Sequence, residues 1–139
     1  MANAIYPLWA QEVMKGTSNN LLNSTEGGNG VYAALVDTAA YTYNAGNQFY
    51  SQLTGVVGAD QEILSKTQTT GTFDGTDLTY TAVSGAHVEA IVLYRKNGGG
   101  AGTWPLIAYI DTGVTGLPVT PNGGNITITW HASGIFKLA

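Results

Sequence analysis

Hydrophobic and polar positions change rhythm near residue 30. Before it, Ile5, Leu8, Trp9 and Val13 recur at the spacing that places side chains on one helical face. Pro7 suits a first helical turn, where its missing N–H costs nothing, and Gly16 stops the helix. Residues 17–29, TSNNLLNSTEGGN, read as a loop. After residue 30 the period tends towards two. VYAALVD (31–37) is a short, nearly unbroken apolar run, the mark of a buried strand. TYNAGNQFYSQLTG (42–55) mixes aromatics with turn formers and turns Phe49, Tyr50 and Leu53 inward. EILSKTQTT (62–70) reads as a strand.

Alternation is clearest further on. DLTYTAV (77–83) sets Leu78, Tyr80 and Ala82 on one face and Thr79 and Thr81 on the other. HVEAIVLYR (87–95) alternates Val88, Ala90, Val92 and Tyr94, while its second face begins polar, with His87 and Glu89, and turns apolar at Ile91 and Leu93. NGGGAG (97–102) reads as a flexible hairpin tip and WPLIAYI (104–110) as the returning strand. LPVTPNGGNITITW (117–130) reads as a hairpin about a Pro-Asn-Gly-Gly turn, with Ile126, Ile128 and Trp130 facing one way. GIFKL (134–138) closes the set. The pattern predicts a mainly β fold: an antiparallel β-sandwich, jelly-roll or Ig-like, of about eight strands with a short N-terminal helix. Residues 1–29 would be a helix-and-loop arm and residues 30–139 the sandwich domain.

Composition narrows the function. One domain of 139 residues buries about two-thirds of its unfolded surface, enough for a core without staples. There is no Cys, so disulfides and thiolate metal sites are excluded. Only 10% of residues are charged, with five Lys/Arg against nine Asp/Glu, where about 25% is typical. So few cations argue against direct nucleic-acid binding. The first sixteen residues show no basic start followed by a long apolar run, and no stretch approaches the ~18 apolar residues of a membrane span.

Candidate chemistry is thin. Asp111-Thr112-Gly113 is the tripeptide of aspartic proteases, but it comes late in the chain and lacks the apolar-Gly segment that braces that motif; Asp and Gly ending a strand is the simpler reading. His87 and His131 with Glu89 would make a sparse metal set, and two surface histidines are expected instead, His87 pairing with Glu89. Asp74 and Asp77 flank a glycine without the spacing of a calcium loop. Asn23-Ser24-Thr25 and Asn125-Ile126-Thr127 imply no glycosylation without a secretory signal. No catalytic residue, cofactor or metal is expected. The remaining candidates are aromatic: Trp9 with Val13 on the helix, as an anchor for a neighbouring subunit or as a face folded back on its own body, and Tyr41, Tyr43 and Tyr50 near loops, as interface or glycan-stacking residues.

Four phrases, VYAALVDTAAYTYNAGNQFYSQL, GTFDGTDLTYTAVSG, VEAIVLYRKNGG and PLIAYIDTGVTGLPVTPNGGNITITWHASGIFKL, together resemble a family of small β-sandwich virion structural proteins of tailed phages and prophages. The resemblance runs from about residue 31 to 138. It implies a non-enzymatic virion protein, most directly a capsid decoration or cement protein on the phage head. Its partners would be the major capsid protein or other virion subunits, and it would form a homo-oligomer without contacting nucleic acid or membrane. A neck or tail location and a receptor-binding adhesin are the alternatives.

Overall fold

Three apolar runs, Val31–Val36, Ala90–Arg95 and Leu106–Ile110, lie side by side and form the centre of the core. In the computed structural model, which describes residues 3–23 and 28–138, nearly every side chain in them is buried. Such continuous runs are what a sheet covered on both faces requires. Among the described residues the elements in chain order are β1 (Ala4–Ile5), α1 (Pro7–Met14), β2 (Val31–Val36), β3 (Val56–Glu62), β4 (Thr67–Thr69), β5 (Thr72–Asp74), β6 (Leu78–Tyr80), β7 (Ala90–Arg95), β8 (Leu106–Ile110), β9 (Ile126–Ile128) and β10 (Phe136–Lys137). The strands form a five-stranded sheet β1-β8-β7-β2-β3, a three-stranded sheet β10-β5-β4 and a pair β6-β9. Every pairing is antiparallel. Among the described residues the fold is thus mainly β with one short α-helix, in a sandwich-like arrangement whose sheets do not close. No helix among the described residues is long and apolar enough to cross a membrane.

Long-range bonds tie the sheets together. The Tyr80 hydroxyl of β6 donates to the Ala33 carbonyl of β2 at 2.7 Å inside the core. Asp77 accepts from the Trp130 backbone N–H, and the Trp130 indole donates to the Thr76 carbonyl. Asp77 therefore pins the start of β6 to the end of β9. The N-terminal segment is built into the same body. β1 pairs with the end of β8, and Trp9 of α1 meets Phe136 of β10 edge to face at 6.0 Å.

Several local expectations change. Thr67–Thr69 forms its own strand, separated from β3, because Leu64 to Lys66 turn the chain away, with Ser65 at a positive φ. Ala82 does not continue the apolar face of β6. It is exposed, has a φ of 50°, and its N–H is taken by the Asn125 side chain. The segment 117–130 is not a hairpin closed on itself. β9 pairs with β6, and the Asn-Gly-Gly turn bonds to Val83 through Gly123 and Gly124. The glycine-rich tip at 97–102 is cross-braced: Asn97 accepts from Gly99 and Thr103, and the Trp104 indole donates to Gly99. Of the sequence Asn23-Ser24-Thr25, Ser24 and Thr25 lie outside the described residues, as does part of the expected 17–29 loop.

Candidate functional site

Strand register gathers the acidic residues. Val36 of β2 stands opposite Ala90 of β7, and Ile91 stands opposite Ile110 of β8. The next residues outward along the three strands are Asp37, Glu89 and Asp111, so all three carboxylates come to one end of the five-stranded sheet. The opposite end carries Arg95, the last residue of β7, and Lys96 after it.

At the acidic end lies a cavity of about 370 Å³, lined chiefly by Thr38, Tyr41, Tyr43, Glu89, Tyr109 and Asp111. Each side chain there is positioned by its own chain. Glu89 accepts through Oε2 from both the backbone N–H and the hydroxyl of Thr38, at 2.8 and 3.0 Å, and its Oε1 lies 3.6 Å from His87 Nδ1. The Tyr41 hydroxyl shares a 2.7 Å bond with that of Tyr6 and accepts from Asn47. The rings of Tyr43 and Tyr109 are tilted against each other with centroids 5.6 Å apart. The Asp111 turn is held by Asn3, whose Oδ1 accepts from the N–H groups of Asp111 and Thr112 and whose amide donates back to the Thr112 carbonyl.

The electrostatics follow from this placement. Burial, first, and then the negative charges of Asp111 and Glu89 push the Tyr109 hydroxyl above the ordinary tyrosine range. Burial, followed by Tyr41, does the same to Tyr43. Both phenols therefore stay neutral in a cavity whose charged groups, among the described residues, are carboxylates.

A second cluster occupies the other end of the sheet. Tyr50 and Tyr94 both donate to Asp60 Oδ2, at 2.9 and 2.6 Å. Tyr94 and Trp104 stack at 5.9 Å, and the Lys96 ammonium sits 5.1 Å from the ring centroids of both Tyr32 and Trp104. Burial raises the Asp60 carboxyl above the usual carboxylate range, partly offset by the two tyrosine bonds and by Lys96. This cluster is closed on itself: its cation and its carboxylate are already engaged within the chain.

The five aromatic and apolar candidates fall into different settings. Trp9, expected as an anchor for a neighbour or as a face turned inward, is only 1% exposed, and its indole donates to the Asn20 carbonyl at 2.9 Å; it is a core residue of its own chain. Val13 is half-buried against the same hydrophobic core. Tyr41, expected near the surface, is 4% exposed because its hydroxyl is drawn inward to Tyr6. Tyr43 is half-buried in the cavity wall, and Tyr50 is half-buried over Asp60. His87 lies beside Glu89 as expected, while His131 is exposed and accepts from the Ser133 N–H. Asp74 accepts from Gly75 in its turn. Among the described residues no three His, Asp or Glu side chains gather as a metal-holding group.

The sequence alone did not single out Thr38, Tyr109 or Asp111 as partners in one cavity. A signal was present: Tyr109 and Asp111 are two residues apart at the end of a strand, where side chains share a face. No protein-family model matches the chain, and no curated protein is significantly similar to it.

Proposed function

We propose that the chain is a non-enzymatic structural subunit of a phage virion, most directly a decoration or cement protein that adds contacts between capsid subunits. The observation that carries the reading is the concave acidic and aromatic end of an otherwise charge-poor β body. Tyr41 and Glu89 are fixed by bonds to their own chain, which prepares a rigid surface for contact. The sequence resemblance over residues 31–138 supports the same role. A cement protein raises the cost of separating capsid subunits because it binds only their assembled form.

The test is co-sedimentation of the purified chain with empty particles assembled from the major capsid protein of the same virion. Saturable binding, weak binding to free capsid subunits, and a higher melting temperature of the decorated particle are expected. A copy number on the order of hundreds per virion belongs to the head, and about six to twelve to a neck or tail. The low number, with no binding to heads, would transfer the protein to the neck or tail. An adhesin reading through tyrosine stacking is disfavoured by the burial of Tyr41.

A further inference from the structure

We propose that the cavity at the Asp37–Glu89–Asp111 end is a receptor for the guanidinium group of an arginine side chain carried by a partner protein. The partner rests on the virion-contact reading above; the chemistry of the cavity does not.

Size, charge and shape select this guest. A volume of about 370 Å³ is at the small end of ligand sites, which run from about 300 to 1,000 Å³. The exposed residues Thr42 and Pro118 belong to its lining, so it opens at the surface. None of the chain's five Lys and Arg residues lines it, while two carboxylates do. An anionic guest is therefore repelled. The wall sets those carboxylates beside the half-buried ring of Tyr43, which is tilted against the buried ring of Tyr109. A guanidinium is a planar cation with five N–H donors; it bonds to carboxylates along its edge and packs on aromatic faces. Thr38, whose hydroxyl donates to Glu89, belongs to the same wall.

Two competing guests fit less well. A calcium ion takes six to eight oxygen ligands, and here Glu89 already commits Oε2 to Thr38. A second copy of this chain would have to offer Arg95, its only arginine. That side chain is half-buried at the far end of the sheet and donates through Nη1 to the Ser18 carbonyl at 2.8 Å. The arginine must therefore come from a different protein.

The experiment is an NMR titration of the full chain with N-acetyl-arginine N-methylamide, beside its citrulline analogue, which has the same shape without the charge. The expected result is saturable shifts confined to the amides of Thr38, Tyr43, Glu89, Tyr109 and Asp111. Affinity in the millimolar range, at least about tenfold weaker for citrulline and for the Glu89→Gln/Asp111→Asn double variant, is what a single charged side chain would give. The citrulline comparison is made on the unaltered protein and does not depend on the variant folding. Equal response to arginine and citrulline would overturn the assignment. So would calcium chloride moving these amides while the arginine compound leaves them unmoved. If the arginine compound binds as expected and capsids do not, the virion role fails and the receptor stands; the reverse result removes the receptor alone.

Discussion

Asp60 shows what a single carboxyl does when a sheet end closes over it. Its Oδ2 takes both tyrosine hydroxyls, while Oδ1 is buried with no hydrogen-bond partner among the described residues. Burial is the largest influence on its ionisation and raises its pKa on folding. The folded protein thus holds the proton more tightly than the unfolded chain does. The resulting stabilisation is complete below the unfolded value and is lost as pH rises through the folded value. Asp60→Asn keeps an acceptor for Tyr50 and Tyr94 and removes the charge that burial penalises. Its stability relative to the parent should therefore improve as pH rises from the unfolded carboxyl value through the folded one, and level off above that. Urea unfolding of both proteins across the acid range measures this. A stability difference that stays flat with pH would show that Asp60 ionises in the fold as it does in the unfolded chain.

The elements differ in how well their periods announced them. Helical spacing revealed α1 and placed Trp9 and Val13 on its inward side, but Ile5, counted on the same face, belongs to β1. What the spacing leaves open is whether that face turns onto its own chain or a neighbour's. Here the choice is made by Phe136 and by the Asn20 carbonyl, both remote from the helical pattern. Truncating this side chain as Trp9→Ala should cost about 3–5 kcal/mol, the usual range for a buried tryptophan, read as a lower urea midpoint at unchanged slope. An unchanged midpoint would mean that the helix is an outward-facing arm. Apolar runs also marked β2, β7 and β8 plainly, because Ile91 and Leu93 fill the second face of a central strand. β1 escaped notice because two residues, Ala4 and Ile5, are too few to show a period. β4 was misjoined because Thr67, Gln68 and Thr69 are all exposed and alternate nothing. The Asn-Gly-Gly turn was legible, but its partner was not: β9 pairs with β6, and a turn signal names only its immediate neighbours.

At the scale of the whole molecule, register produces a charge separation that no local reading contains. His87 and Glu89 looked like the polar face of a strand, and Asp111-Thr112-Gly113 like a turn. Both descriptions hold locally. Only the pairing of β7 with β8 and β2 brings Glu89 and Asp111 to one cavity and sends Arg95 and Lys96 to the far end. That polarity separates two ways in which the protein could meet a partner. A contact through the cavity end depends on charge, and the long-range attraction that brings a charged partner in loses most of its reach as the Debye length falls from about 10 Å at 0.1 M salt to about 3 Å at 1 M. A contact through the open outer edge of β4 would use backbone N–H and C=O groups, as added strands do, and would respond little to salt. Raising sodium chloride from about 0.05 to about 0.5 M should therefore weaken binding to the partner by about tenfold, mainly by slowing association. The Glu89→Gln/Asp111→Asn variant should begin weaker and change less. Binding isotherms at four salt concentrations for both proteins decide the matter. Parallel, flat curves would move the docking surface away from the acidic end and onto the Thr67–Thr69 edge.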